Sequence, residues 1–308
     1  MKPRLFSVYF GGEQYTQMAA VLRHSARLWC PGWDIDVRQV AKPTRQTATG
    51  SQSHADNSWK LELWCAEVQA APEGSLLLIL DADTFITWRL EPLWSVGFDV
   101  AYTARAPGSR YPINAGVIAV RVNDRSRRFM SMWARTDIEL AGNLSLHQEW
   151  RRRFGGMNQA SLGKVLAAGT PGVTVLDLLC KTWNCEDLSW RFFGEHTRIV
   201  HVKSALRLSV FDVVRIPSLS RLTSLWKAWA LEAGVNLSYS GGSMGFTEAD
   251  LEAIRRAIAT GERQVQFSDR GVTYRSIDEL LQAEKHIAAA LAGRNKQMLG
   301  VADKGFGE

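Results

Sequence analysis

Residues 76–83 read Leu76-Leu77-Leu78-Ile79-Leu80-Asp81-Ala82-Asp83, an unbroken aliphatic run that stops at two aspartates one residue apart. Aliphatic residues without polar alternation predict a strand covered on both faces, as in a mostly parallel α/β sheet. Ligands of such sheets bind beyond the carboxyl ends of the strands, which is where Asp81 and Asp83 fall. Two carboxylates there offer oxygen to a hard divalent cation, and such a cation suits a diphosphate. The triplet alone decides nothing, because a second Asp-x-Asp occurs at Asp34 and Asp36. Its position after the apolar strand carries the signal.

Outward from that strand the chain alternates strand and helix. Arg4 to Phe10 predicts a first strand, closed by Gly11 and Gly12. Tyr15, Met18, Leu22, Ala26 and Trp29 then share one helical face, ended by Pro31 and Gly32. A second strand is expected over 34–40, followed by a polar segment at 42–56 with the composition of a mobile loop. Leu61, Trp64, Cys65 and Val68 mark the next helix, and Pro72 to Gly74 turn into the Leu76 strand. Further strands are expected at 98–103, 113–121, 173–177 and 199–202, and further helices around Phe129 to Leu140, over 158–167 and around Leu222 to Trp229. This succession is the signature of a doubly wound α/β domain. Neither G-x-G-x-x-G nor G-x-x-x-x-G-K-[ST] occurs, which argues against a Rossmann dinucleotide site or a P-loop.

Residues 236–245 break the pattern and read as a Gly/Ser linker. Beyond it Leu251, Ile254 and Ile258 form one helix face, and Val265 with Phe267 and Val272 with Tyr274 alternate across a turn at 268–271. Ser276 and Glu279 make a capping box for a second helix bearing Ile277, Leu280, Leu281, Ile287 and Leu291. The expected organisation is a domain at 1–235, the linker, a small α-β-β-α module at 246–293 and a polar tail at 294–308.

Composition bounds the partners. With 46% hydrophobic residues among 308 the chain can bury a core, and its net charge of +6 suits an anionic ligand such as a nucleotide. Arg125, Arg127 and Arg128, and the triplet Arg151 to Arg153, read as solvated faces; nucleic acid is possible but not favoured. Cys30, Cys65, Cys180 and Cys185 form no C-x-x-C pair: Cys30 and Cys65, in apolar helical patterns, are expected as buried free thiols, Cys180 and Cys185 lack a histidine at zinc-ligand spacing, and a reducing compartment follows. No apolar run approaches the roughly 20 residues of a membrane helix, and the start is too short for a signal peptide. A soluble, cytoplasmic protein is expected.

Residues 1–235 resemble GT-A fold glycosyltransferases, most closely the retaining family of glycogenin and the bacterial lipopolysaccharide galactosyltransferases. The resemblance rests on LDADTFI at 80–86, INAGVIAVR at 113–121, NQASL at 158–162 and HVKSALR at 201–207, in the family's order and approximate spacing. It implies that Asp81, Asp83 and His201 hold a divalent metal, Mn²⁺ or Mg²⁺, with a nucleotide-diphosphate sugar of UDP type as donor. It also implies that Lys203 and Arg207 face the phosphates, that Asn57 and Lys60 at the start of their helix face the nucleotide, and that Asn114 and Gly116 border the sugar. Asn158 and Gln159 fall on the catalytic Asp-Gln pair. Each residue has an ordinary alternative: a hydrogen-bonded, partly buried histidine, surface cations, a helix N-cap, a glycine at a bulge. Two departures stand out. The family's aspartate is Asn158 here, and the glycine and lysine of its late H-x-x-G-x-x-K motif are Ser204 and Arg207. No carboxylate nucleophile is agreed for the family, so no general base is named.

The run FTEADLEAIRRAIATGERQVQFSDRGVTYRSIDELLQAEKHIAAAL at 246–291 resembles the gpW-like head–tail joining proteins of tailed phages. This implies a phage or prophage origin, a ring oligomer, portal or neck proteins as partners, and a location in the host cytoplasm or the virion. A generic oligomerisation module is the plainer alternative. For the whole chain the alternative to an enzyme is a connector carrying a degenerate glycosyltransferase-like domain.

Overall fold

The alternation of apolar strands and amphipathic helices becomes a layered α/β domain in a computed structural model. It describes residues 2–44, 47–211, 216–236, 248–262, 264–266 and 271–273, and positions 280, 281, 284, 287 and 288. The chain divides into two compact units, Met1–Leu237 and Ser238–Glu308.

The first unit opens with β1 (Arg4–Tyr9), α1 (Glu13–Trp29), β2 (Asp34–Gln39), α2 (Gln52–Ala70) and β3 (Leu76–Leu80). It continues through β4 (Thr84–Ile86), β5 (Val100–Ala104), β6 (Ile113–Arg121), α3 (Asp124–Gly142), α4 (Leu144–Phe154) and α5 (Asn158–Ala168). Then come β7 (Val175–Leu179), α6 (Cys180–Trp183), β8 (Ile199–His201), α7 (Ser204–Val210) and α8 (Ser220–Glu232). The main sheet has the order β2-β1-β3-β6-β5-β7, in which β6 alone runs against its neighbours. It is mostly parallel, as the aliphatic run predicts.

Successive side chains of a strand point to opposite faces, and β3 needs both faces apolar because both are covered. Leu77 and Ile79 pack with Leu61, Trp64 and Val68 of α2 and with Phe129 and Trp133 of α3. Leu78 and Leu80 pack with Ala19, Leu22 and Ala26 of α1. A third cluster joins Phe85 of β4 and Val200 of β8 to Trp226 and Trp229 of α8. Cys30, Cys180 and Cys185 are buried free thiols, each pushed up to about 12 by burial, whereas Cys65, expected buried, is only half-buried.

Several expectations need correction. The helix before β3 begins at Gln52, inside the segment read as a loop, with Ser51 Oγ accepting from His54 N at 3.4 Å. Asn57 is therefore no N-cap: it lies within α2 and donates from Nδ2 to Ser53 O at 2.8 Å. Only Ala55 of that first turn is buried, so no apolar periodicity announces it. Strand β7 starts two residues later than predicted, because Thr174 is spent on Asp99: its N donates to Asp99 Oδ2 at 2.8 Å. The second Asp-x-Asp lies in β2, where Asp36 takes bonds from Arg4 at 2.6 Å and Arg38 at 3.0 Å. The basic groups are partly ion-paired, Arg125 with Asp99 and Arg127 with Glu73, whereas Arg151, Arg152 and Arg153 are exposed. No helix among the described residues is long and apolar enough to cross a membrane.

In the second unit α9 (Glu248–Thr260) precedes an antiparallel pair, β9 (Gln264–Gln266) and β10 (Gly271–Thr273), with Val265 opposite Val272. Leu251, Ile254, Ala257, Val265, Leu280 and Ile287 form its core. Most of the expected linker, the turn at 268–270, the Ser276/Glu279 capping box and the tail at 294–308 lie outside the described residues.

Candidate active site

Strand β3 ends where the main sheet ends, and the chain turns there into the three-residue β4. Thr84 Oγ1 donates to Asp81 O at 2.7 Å and closes the turn. Strand β4 pairs with β8 so that Thr84 lies opposite His201, and Val202 N donates to Asp83 O at 2.6 Å. This small sheet carries His201 to the aspartates: its Nε2 lies 3.2 Å from Asp83 Oδ1 and 3.8 Å from Asp81 Oδ2. One ligand atom from each of the three residues falls within 4.8 Å of the others.

Gly116 makes room for this cluster. Asp81 N donates to its carbonyl at 2.9 Å, and a Cβ there would sit 2.7 Å from His201 Cε1 and 3.0 Å from Asp81 Oδ2. The Gly116→Ala variant should lose about 1–3 kcal/mol of stability through overpacking and should bind divalent metal more weakly, because the ring it displaces is a candidate ligand. Thermal unfolding and Mn²⁺ titration check the two halves separately.

Each aspartate is neutralised by a cation. Lys60 Nζ lies 2.5 Å from Asp81 Oδ1, and Arg207 donates from Nη2 to Asp83 Oδ2. Arg207 also stacks over Tyr15, 5.3 Å from the ring centroid, and donates to Val202 O at 3.2 Å. Burial opposes the charge on Asp83, but His201 and Arg207 outweigh it and hold the carboxyl well below the usual carboxylate range. A cleft of about 260 Å³ opens beside the aspartates at the carboxyl ends of β1 and β3. Tyr9, Gly11, Gly12, Tyr15, Lys42, Asp56 and Asn57 line it together with Lys60, Asp81 and Asp83.

The other candidate residues have different surroundings. Asn114 accepts from Gly116 N at 2.9 Å, and its Nδ2 is buried without a hydrogen-bond partner among the described residues. Lys203 lies 2.7 Å from Glu186 Oε2, and Arg105 grips the same buried carboxylate with two bonds. Burial raises the Glu186 carboxyl, but Asp187, Arg105 and Lys203 outweigh that and hold it low. Asn158 opens α5 nearly buried, and Gln159 donates to Phe154 O at 2.9 Å. No described contact joins either of them to the aspartates. Sequence reading missed Tyr15, Arg105, Asn184 and Glu186, which belong to no motif and are placed by tertiary structure alone.

Ser204 explains one departure from the family pattern. It opens α7 with φ 46°, in the left-handed region where the family's glycine would carry no penalty. Ser204→Gly should raise stability by about 0.5–1 kcal/mol, the left-handed penalty less the entropy cost of glycine. A denaturant midpoint measures it, with nucleotide binding expected to stay unchanged.

No protein-family model and no curated protein matches the chain. Solved structures do match. The apo-form glycosyltransferase GlyE of Streptococcus pneumoniae TIGR4 aligns with TM-score 0.50 and 14% identity over 77% of this chain and 62% of its own, so less than two thirds of GlyE's length is spanned. A glycosyltransferase involved in the glycosylation of the major capsid of PBCV-1 aligns with TM-score 0.47 and 15% identity, over 67% of this chain and 96% of its own. Galactosyltransferase LgtC, solved with donor and acceptor sugar analogs, gives 0.44 and 13%, over 74% and 95%. The chain has the GT-A glycosyltransferase fold. The likeness to GlyE establishes that fold and nothing finer.

Proposed function

We propose that the first unit is a metal-dependent glycosyltransferase whose donor is a nucleotide-diphosphate sugar, of UDP type. The observation that carries this is the Asp81–Asp83–His201 cluster at the edge of a strand-end cleft in a GT-A fold. Two carboxylates and an imidazole suit Mn²⁺ or Mg²⁺, the imidazole tilting the choice toward Mn²⁺. The missing side chain at Gly116 is what lets the His201 ring and the Asp81 carboxylate pack together there, and that packing supports their reading as joint ligands. Such an ion, when bound, supplies positive charge against the negative charge that grows on the departing diphosphate.

The chain's own groups do the rest. Lys60 and Arg207 exchange their carboxylate partners for phosphate oxygens, where Arg207 offers the paired donors that lysine lacks. Asn57 borders the nucleotide in the cleft. Asn114 and Gly116, on β6 beside the aspartates, border the sugar. Lys203, tied to Glu186, adds positive potential beside the phosphates. Asn158 and Gln159 face the transferred sugar and its acceptor. Calorimetry of UDP with and without Mn²⁺ tests the reading: binding should require the metal. A folded sample that binds neither UDP nor GDP in its presence overturns it.

The second unit favours a further reading, since a separate module is more than a transferase requires. With boundaries at 1–235, 236–245, 246–293 and 294–308, the module at 246–293 acts as a gpW-like joining piece. It assembles in a ring on portal or neck proteins and places the enzyme in the virion or the host cytoplasm. The departures at Asn158, Ser204 and Arg207 would suit its rival, a non-catalytic connector with a degenerate domain. Stoichiometric presence in purified particles supports the joining role. Absence from particles, with sugar transfer by the isolated chain, leaves the enzyme alone.

A further inference from the structure

We propose that Asn184 is a positioning residue: it fixes the tautomer of His201 and so keeps the Nε2 lone pair turned toward the metal. This rests on the metal-dependent reading given above.

The inference begins at a backbone carbonyl, which can only accept. Thr103 Oγ1 lies 2.6 Å from Asn114 O, so the single hydroxyl proton of Thr103 must lie between them. Having spent its proton, Thr103 faces its other neighbours as an acceptor. Asn184 Nδ2 lies 2.9 Å away and donates to it, and the Cys180 thiol, kept protonated by burial, is a second neighbour. The amide orientation of Asn184 follows: its NH₂ faces Thr103, and its Oδ1 faces His201 Nδ1 at 3.0 Å. A carbonyl oxygen at that distance requires a proton on Nδ1. With Nδ1 committed to Asn184, Nε2, which faces Asp81 and Asp83, is the ring nitrogen that an ion takes, in place of the proton it shares with Asp83 at 3.2 Å when no ion is bound.

The network is built for fixity. Thr103, Asn114, Asn184 and His201 are all nearly or wholly buried, so water does not compete for these bonds. Asn184 N donates to Cys180 O at 2.9 Å at the end of α6, and Cys185, its neighbour in sequence, bridges to Val200 of β8. The strand that carries His201 and the residue that orients it are thus held in one hydrogen-bonded patch.

Three variants test this against a merely structural role. Asn184→Leu removes the acceptor and should weaken Mn²⁺ binding, read by electron paramagnetic resonance, about 10–100-fold. Asn184→Asp combined with Thr103→Val keeps an accepting oxygen toward Nδ1 without setting a second oxygen against the spent Thr103 hydroxyl, and should restore or exceed wild-type affinity. Thr103→Val frees the amide to turn over and should give an intermediate loss, with circular dichroism confirming the fold in all three. On ¹⁵N-histidine-labelled protein with Mg²⁺, long-range ¹H–¹⁵N spectra should show His201 protonated at Nδ1 and not at Nε2. Wild-type affinity in folded Asn184→Leu, or a proton on Nε2 rather than Nδ1 in the Mg²⁺-bound wild type, overturns the proposal while leaving the metal site standing. Failure of the wild type to bind Mn²⁺ at all, with or without UDP, overturns the metal-dependent reading and this inference together.

Discussion

Asp83→Asn should abolish metal-dependent nucleotide binding, with a loss of at least about 100-fold, since even second-shell changes around metals cost 10–100-fold. The substitution keeps the size of the side chain and the backbone bond from Val202 N to the residue 83 carbonyl. What it removes is one of the two negative charges in the cluster. The fold should survive, because Arg207 keeps Tyr15 and Val202 O as neighbours and is itself partly exposed to water. Burial alone would raise the Asp83 carboxyl, yet the adjacent positive charges hold it below the ordinary carboxylate range. A depressed carboxyl stays ionised above its unfolded value and is lost only as pH falls through the folded one. Wild-type binding should therefore show no loss attributable to Asp83 anywhere above the ordinary aspartate range, near pH 4. Calorimetry with Mn²⁺ and UDP, repeated over pH, reads both effects.

Lys60→Met and Arg207→Met should produce opposite effects in two assays on one protein. Each cation sits against an aspartate of the cluster, on the oxygen turned away from His201, so each competes with an incoming ion for the charge of the same carboxylate. Removing either should strengthen binding of Mn²⁺ alone by about tenfold, the equivalent of one charge-assisted hydrogen bond at a partly exposed site. The same variants should weaken UDP in the presence of Mn²⁺ by about 10–100-fold, because a phosphate contact is gone. A variant that merely disturbs the fold would weaken both. Weaker Mn²⁺ binding in both variants would show that these cations support the cluster and do not compete for it.

How much of this could be read beforehand depends on distance along the chain. The aliphatic run at 76–80, the amphipathic faces of α1, α2 and α3, and the Asn114–Gly116 strand are local patterns, and each became the expected element. The order of motifs gave the fold class. Elements with little apolar periodicity stayed hidden: the first turn of α2 is polar on nearly every side, and β4 has only three residues. Yet β4 is what brings His201 to Asp81, because its pairing with β8 is a tertiary event. The chain Thr103–Asn184–His201 likewise joins residues from three separate segments. Glu186 belongs to no sequence motif, and it is wholly buried between Arg105 and Lys203. Asn158 lies where the family resemblance places a carboxylate, and no described contact links it to Asp81, Asp83 or His201.

The most direct measurement is anomalous diffraction near the manganese edge from crystals grown with Mn²⁺ and UDP. One strong anomalous peak is expected in contact with Asp81, Asp83 and His201 Nε2, bridging to the diphosphate, with Lys60 and Arg207 turned from the carboxylates to the phosphate oxygens. UDP bound in the cleft with no anomalous peak at that cluster, or a peak held by other residues, would contradict it.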